Sequence, residues 1–158
     1  MASITIKDMD ITYNKGKTRV IQGMNLEIKD GEFCVFLGPS GCVKSTAMYS
    51  IAGLLHPTKG QISFGDEVMT LVDDKGKDKK FIPPQERNIA MVFQEYALYP
   101  NMTVRKNMSF ALETKKTPKD EIEKRVTAMS SMLGLDELLD RKPAQLSGGQ
   151  RQRVALGR

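Results

Sequence analysis

The chain of 158 residues is long enough for a domain with a sizeable core, and its 40% hydrophobic and 27% charged residues are ordinary for a soluble globular protein. No apolar run approaches the ~18 residues of a membrane-spanning helix, and the N-terminus lacks the apolar run of a secretory signal. The net charge of +5 is too small to identify an anionic partner, and no basic–aromatic pattern indicates nucleic acid. We therefore predict a cytoplasmic protein that does not bind nucleic acid.

Strand patterns dominate the first part of the chain. Residues 3–13 and 20–28 partly alternate between apolar and polar side chains around a turn at 14–17, which predicts two antiparallel strands. The run Phe33–Leu37 is short, continuously apolar and rich in aromatic residues, which predicts a strand buried on both faces of a parallel sheet. The next predicted elements are a helix over Ser45–Leu55 and strands over Gln61–Phe64 and Ile89–Phe93.

The rest of the chain combines a charged loop with helical patterns. An exposed loop is predicted where four lysines cluster, at Lys75, Lys77, Lys79 and Lys80. Thr117 is predicted to cap a helix that has Pro118 in its first position and ends at Gly134. The apolar residues at helical spacing within it are Ile122, Val126, Met129 and Leu133. Together these patterns predict an amphipathic helical unit after Pro100.

A glycine-rich turn between the predicted strand and helix indicates a phosphate-binding loop. Small residues let backbone N–H groups close around phosphate oxygens, and the helix N-terminus adds a partial positive charge. Lys44 is predicted to neutralise the terminal phosphates, and the Ser45 hydroxyl to coordinate Mg²⁺. The predicted nucleotide-binding residues of this loop are Gly38, Pro39, Ser40, Gly41, Cys42, Val43, Lys44, Ser45 and Thr46.

Val43 departs from the phosphate-loop pattern, which has glycine before the lysine. A β-branched residue forced into sparsely populated backbone angles would cost ~1–3 kcal/mol, and its Cβ would point at the phosphates. The alternative interpretation is a strand-to-helix turn that no longer binds nucleotide. Cys42 is interpreted either as a thiol activated at a helix N-terminus or as a small residue that fills the loop.

Near the end of the chain, the segment LSGGQRQR occupies residues 146–153. Ser147 and Gln150 have the spacing of a capping box, so a helix is predicted to begin there. Gly148 and Gly149 would expose N–H groups at its first turn, an arrangement that favours an anion. The alternative interpretation is an ordinary capped helix.

With these motifs in order, the chain resembles the ATPase subunits of ABC transporters, in particular those of the sugar-importer branch. The supporting segments are 38–46, Ile89–Gln94, Tyr96–Pro100, Arg141–Pro143 and Leu146–Arg158. The resemblance implies an α/β fold: an incomplete P-loop NTPase domain of the ABC type, with an antiparallel β subdomain and a helical subdomain. Residues 1–94 would form the β subdomain and the first part of the P-loop core, and residues 95–158 the helical subdomain with the signature helix.

The resemblance also implies roles for individual residues. Tyr13 would stack on adenine, although it could instead be a surface tyrosine at a strand end. Gln94 would approach Mg²⁺ and the attacking water, with Ser45 as the other metal ligand, and segment 95–110 would lie near the membrane partner. No other residue is assigned to catalysis. The residues that would contact the γ-phosphate of ATP on the opposite subunit are Ser147, Gly148, Gly149 and Gln150.

The function implied by the resemblance is to drive carbohydrate import by hydrolysis of ATP with Mg²⁺. The implied partners are a second ATPase subunit in a head-to-tail dimer, integral membrane permease subunits and, indirectly, a solute-binding protein, at the inner face of the cell membrane. A DNA-repair ATPase fits less well, because no coiled-coil heptads interrupt the chain.

Several elements of such ATPases have no counterpart in the sequence. These are the Walker B aspartate, the catalytic glutamate and the switch histidine; His56 lies too early to serve as the last. We therefore expect no hydrolysis by the chain alone, and the alternative function is a non-catalytic module that docks to a permease or an intact ATPase. Without neighbouring strands, segment 33–37 would expose apolar faces, so we expect poor folding or association.

Overall fold

The computed structural model describes residues 2–14, 18–39 and 43–158, which divide into two compact units, Met1–Ala90 and Met91–Arg158. The first unit contains a sheet in the order β2-β1-β3-β4-β5, in which every neighbouring pair is antiparallel. Its strands and helix are β1 (Ile4–Tyr13), β2 (Thr18–Ile28), α1 (Lys44–Ile51), β3 (Lys59–Phe64), β4 (Glu67–Val72) and β5 (Asp78–Phe81).

Alternation of apolar residues explains the core of this sheet. Ile4 pairs with Ile28, Ile6 with Leu26, and Ile6 also with Ile62 of β3. The buried apolar cluster consists of Ile6, Met9, Ile11, Ile21, Ala47 and Ile62. The predicted antiparallel strand pair and the strand over 61–64 are therefore confirmed, whereas residues 15–17 of the predicted turn lie outside the described residues.

The lysine-rich segment is not entirely a loop, contrary to the prediction. Lys75 and Lys77 are exposed in a turn, but Lys79 and Lys80 belong to β5, which pairs with β4 through Leu71–Lys80. All residues of β5 are exposed, so they carry no apolar alternation. Pairing with β4, and not a local pattern, makes this segment a strand.

Neither the parallel strand predicted over 33–37 nor the strand predicted over 89–93 is formed. Residues 33–37 and 89–93 have no strand assignment, and the side chains of Phe33 and Leu37 are 91% and 89% exposed. A parallel strand requires partners that satisfy its backbone groups and cover its faces, and no strand of the described residues pairs with either segment. Both segments have the apolar composition of a buried strand, but neither is hydrogen-bonded to a strand of the described residues.

α1 begins one residue before the prediction and ends earlier. It spans Lys44–Ile51, and residues 52–55 form turns that include Gly53 at φ +75°. Only Ala47 and Ser50 of this helix are buried. The apolar run up to Leu55 therefore overestimates the length of the helix, because a left-handed glycine ends it.

The second unit is helical. Its helices are α2 (Val104–Thr114), α3 (Lys119–Leu133) and α4 (Gly148–Leu156). They surround an apolar cluster of Val104, Met108, Val126, Leu135, Leu139, Leu146 and Val154. In the described part of the chain, no helix has the length and apolarity needed to cross a bilayer.

The prediction for α3 is confirmed along the helix and wrong at its start. The apolar face holds, with Val126 fully buried, and Gly134 takes the left-handed conformation at φ 61° that ends the helix. The N-cap is Pro118, not Thr117, and no side chain caps this end. The negative charges of Asp120 and Glu121 in the first turn instead stabilise this end, because the helix N-terminus carries a partial positive charge.

Candidate functional site

Lys44 lies against the backbone of the predicted phosphate loop. Its Nζ donates hydrogen bonds to the carbonyl oxygens of Gly38 at 2.6 Å and Pro39 at 2.7 Å. The structure thus brings together three of the predicted nucleotide-binding residues. Ser40, Gly41 and Cys42 lie outside the described residues.

The N-terminus of α1 suits an anion. No side chain caps it, and its first turn contains no acidic residue. Ser45 is exposed and Thr46 is half-buried there. Uncapped N–H groups and a positive helix end are the features that attract phosphate, so the local chemistry of this segment fits a nucleotide phosphate.

Val43 has an unstrained backbone. Its φ of −56° and ψ of −2° lie in the right-handed helical region, which β-branched residues adopt without difficulty. The expectation that this position requires sparsely populated angles is therefore wrong for this structure. The steric expectation remains a prediction, because the side chain is exposed beside Lys44, where a phosphate would approach.

The first turn of α1 offers one candidate ligand for a magnesium ion, the Ser45 hydroxyl. Among residues 2–14, 18–39 and 43–158, no three side chains of the histidine, cysteine or carboxylate kind are grouped to hold a metal. Mg²⁺ commonly takes one or two protein oxygens and completes its shell with phosphates and waters. The exposed Ser45 hydroxyl fits that donor set.

Tyr13 and Gln94 belong to different units. Tyr13 ends β1, pairs with Thr18 of β2 and is exposed, as an aromatic ring available for stacking must be. Gln94 is exposed in a turn over 94–97 of the second unit. Their roles in adenine stacking and metal or water positioning remain predictions.

The turn after Gln94 has an unusual backbone. Tyr96 and Ala97 have φ of 62° and 48°, in the left-handed region that non-glycine residues adopt only at a cost. The guanidinium of Arg158 donates to the Ala97 carbonyl and lies 4.4 Å from the centre of the Tyr99 ring. These contacts support the strained turn from the C-terminal side of α4.

The signature segment forms a complete capping box. Ser147 Oγ accepts from the Gln150 N–H at 3.3 Å, and Gln150 Oε1 accepts from the Ser147 N–H at 2.8 Å. The predicted helix start is confirmed. A Cβ built on either Gly148 or Gly149 meets nothing within 4 Å, so packing within this chain does not require glycine at these positions.

Two buried residues and one arginine anchor this helix end. Leu146 and Val154 are both buried in the apolar cluster of the second unit. The Arg153 guanidinium donates to the carbonyl oxygens of Leu133 at 2.6 Å and Gly134 at 3.3 Å. In the first turn of α4, Gly149 is exposed and Gly148 and Gln150 are half-buried, while Val154 further along the helix packs into the core.

Replacing Ser147 with alanine should lower the free energy of unfolding of the second unit by ~1 kcal/mol, because one side of the capping box is lost. Urea unfolding followed by helical circular dichroism measures the change. The matched control is Ser147→Asp, since aspartate also accepts the capping hydrogen bond and should keep near wild-type stability. An alanine variant as stable as the wild type would contradict the capping role.

Sequence reasoning missed Asn107, which is fully buried in α2. Its side chain accepts from the Tyr99 N–H at 2.8 Å and donates to the carbonyl oxygens of Tyr99 at 3.1 Å, Met102 at 3.2 Å and Thr103 at 3.0 Å. It therefore fixes the loop that leads into α2. A signal was available, since Asn107 falls three residues after the apolar Val104, on the face that the helix buries.

The fold and the motif geometry together define a partial ATP-binding domain of the ABC type. The ABC transporter family matches residues 21–158. The chain belongs to this family. It is 53% identical over its whole length to the sn-glycerol-3-phosphate import ATP-binding protein of Rhizobium meliloti, of which it covers 42%. It is 52% identical to the trehalose/maltose import ATP-binding protein of Thermococcus litoralis, again over its whole length, covering 41% of that protein.

Solved structures show the same fold. The chain matches cbiO1 of Clostridium perfringens, part of an ABC transporter complex, with a TM-score of 0.80 and 31% identity over 98% of this chain and 59% of that one. It matches a dimeric ATP-binding cassette bound to ADP and phosphate with a TM-score of 0.76 and 31% identity, over 98% of this chain and 67% of that one. The chain spans about two fifths of the length of the curated relatives it matches.

Proposed function

We propose that this chain is the MgATP-binding part of an energy-coupling subunit in an ABC importer of carbohydrates or related small solutes. The observation that carries the proposal is Lys44, whose ammonium lies over the Gly38 and Pro39 carbonyls at the uncapped start of α1. An ammonium and free N–H groups at one helix end are suited to the terminal phosphates of a nucleotide.

Each predicted site residue has a role in this proposal. Residues 38–46 hold the phosphates, and the Ser45 hydroxyl takes one position on Mg²⁺. Tyr13 stacks on the adenine, for which its exposed ring is available. Gln94 positions the metal or a water and links the nucleotide to the membrane subunits. Bound Mg²⁺ would neutralise charge on the β- and γ-phosphates.

The signature segment acts on a second ATPase subunit. Ser147, Gly148, Gly149 and Gln150 contact the γ-phosphate of ATP held by that subunit in a head-to-tail dimer. The open space beside both glycines supports this, because it leaves room for a phosphate to reach the first N–H groups of α4. The neighbouring structure of a dimeric cassette with ADP and phosphate is consistent with such an arrangement.

The proposed partners are permease subunits at the inner face of the cell membrane and, through them, a solute-binding protein. Support comes from the relatives, which are named as import ATP-binding proteins for glycerol 3-phosphate and for trehalose and maltose. We propose residues 1–94 as the β subdomain with the first part of the nucleotide core, and 95–158 as the helical subdomain that ends in the signature helix, with segment 95–110 near the permease.

A second candidate function is a non-catalytic module that docks to a permease or an intact ATPase. The observation that favours it is Val43, whose branched side chain is exposed beside Lys44. A titration with a fluorescent ATP analogue and Mg²⁺ separates the candidates. Saturable binding that unlabelled ATP displaces supports the first, and its absence contradicts it.

Replacing Val43 with glycine should raise the affinity for MgATP by about tenfold, since relief of a steric contact of ~1.4 kcal/mol corresponds to that factor. The same titration measures the change. Val43→Ala keeps the Cβ without the branch and should have intermediate affinity. Equal affinities of the wild type and the glycine variant would show that Val43 does not hinder the nucleotide.

A further inference from the structure

Arg87 is a buried cation of the first unit that the proposed nucleotide site does not include. Its side chain is 2% exposed. Nη1 donates to the carbonyl oxygens of Ser50 at 3.1 Å and Ile51 at 2.9 Å, at the C-terminal end of α1. Nε donates to the Ile82 carbonyl at 2.7 Å, and Nη2 donates to Thr70 Oγ1 of β4 at 2.7 Å. One guanidinium therefore joins three segments.

The charge of Arg87 is balanced by backbone dipoles. None of the ion pairs found among the described residues involves Arg87. Burial lowers the pKa of Arg87 from its ordinary value, yet an arginine stays protonated at neutral pH. The C-terminal end of a helix carries a partial negative charge, so α1 offers this cation a favourable place.

The surroundings of Arg87 are shaped for a guanidinium. A Cβ built on Gly53 would lie 2.5 Å from Arg87 Nε, so only glycine leaves room for the side chain. The ring of Phe81 lies 5.2 Å from Arg87 Cζ and stacks on His56 with ring centres 4.5 Å apart. The Phe81 ring covers one side of the guanidinium. On the other side, Gly53 has no side chain, which leaves the space that the guanidinium occupies.

The apolar contacts of α1 with the core of the sheet are limited. Ala47 is the one apolar residue of the helix that is buried in the sheet's core cluster, with Ile51 only partly buried against it. Ser50, the other buried residue, bonds its own helix through the Thr46 carbonyl. Hydrogen bonds from a charged donor are stronger than those between neutral groups. Arg87 therefore provides charge-assisted links between the C-terminal end of α1 and the sheet.

We propose that Arg87 is a positioning residue, which fixes the position of the phosphate-binding N-terminal end of α1 relative to the sheet. A helix of eight residues is about 12 Å long and stiff, so fixing its last turn also fixes Lys44 and Ser45 at its first. The inference rests on the proposed nucleotide binding. It adds that affinity for phosphate depends on a residue that does not touch the ligand.

The test compares Arg87→Met with Val72→Ala in the 158-residue chain. Val72 is a buried residue of β4 whose strand partners are Gly60 and Asp78, so its truncation weakens the sheet without removing a bond to α1. MgATP affinity is measured at a temperature where thermal unfolding shows every variant to be folded. The methionine variant should lose about tenfold in affinity, as expected for loss of ~1.4 kcal/mol of positioning, and Val72→Ala should bind as the wild type does.

Arg87→Lys tests whether the planar fork of donors is required and not the charge alone. Lysine keeps the charge but cannot reproduce the planar fork of donors, so its affinity should fall between those of the wild type and the methionine variant. Should the methionine variant not fold, the lysine variant is compared with Val72→Ala in the same way. Affinity losses that merely follow the loss of thermal stability in all variants would overturn the proposal.

Hydrogen exchange provides a readout that needs no nucleotide. The Ala47 N–H bonds to the Val43 carbonyl at 2.8 Å in the first turn of α1. This amide should exchange about tenfold faster in Arg87→Met, while the paired amides of β1 and β3 keep their protection. Unchanged exchange in α1 would overturn the proposal. A wild type that fails to bind MgATP while α1 responds as expected would overturn the proposed function instead.

Discussion

Replacing Lys44 with methionine is expected to lower the affinity of the chain for MgATP by roughly a hundredfold. A hydrogen bond from a charged group contributes ~1.5–3 kcal/mol, and two contacts between the ammonium and phosphate oxygens account for a factor of that size. Titration with a fluorescent ATP analogue measures the loss. The fold should be unaffected, because the Lys44 bonds to Gly38 and Pro39 are exposed and water replaces them.

The matched control is Lys124→Met, which removes the same charge from an exposed position of α3. It should leave both affinity and stability at wild-type values. If the two methionine variants lost affinity equally, the effect would come from net charge and not from the position of Lys44. If neither lost affinity, the nucleotide would not bind through this loop.

Replacing Asn107 with leucine is expected to destabilise the second unit by ~3–5 kcal/mol. The leucine would leave the Tyr99 N–H and the Met102 carbonyl without a partner, whereas the Tyr99 and Thr103 carbonyls keep the backbone N–H groups of Met102 and Asn107. Each buried polar group without a partner costs ~1–3 kcal/mol. Urea unfolding followed by helical circular dichroism measures the change. The loop before α2 should become susceptible to proteolysis at lower urea concentrations than in the wild type.

Asn101→Leu is the control for this variant. Asn101 is exposed in the same loop, so the identical substitution should change stability by no more than ~0.5 kcal/mol. A leucine at position 107 that costs as little as one at position 101 would show that the Asn107 hydrogen bonds contribute no net stability. That outcome would assign the loop conformation to packing around Met108 and Val104 instead.

Much of the second unit follows from local sequence signals. The Ser147–Gln150 capping box, the apolar face of α3 and the terminating Gly134 form as expected. These features depend on residues within about one helical turn of each other, so a sequence pattern contains all the information that they need. The start of α3 is the exception, because Pro118 and not Thr117 occupies the cap position.

Elements that depend on distant partners could not be predicted in this way. Segment 33–37 has the composition of a buried strand but lacks pairing in the described residues, whereas Asp78–Phe81 lacks that composition and pairs with β4. Strand formation requires hydrogen bonds to another segment, and the sequence of one segment does not specify whether its partner is in place.

The sequence by itself determined the family, the phosphate-loop and signature motifs, and the local geometry of the capped helix. Each of these depends on residues that lie close together in the sequence. The tertiary structure alone decided that Val43 is unstrained and that Arg87 is buried against α1. The bond from Arg87 to the Ser50 carbonyl joins residues 37 positions apart. No local pattern encodes such a contact. Burying the guanidinium costs free energy, and the hydrogen bonds that offset this cost exist only when the chain has folded around Arg87.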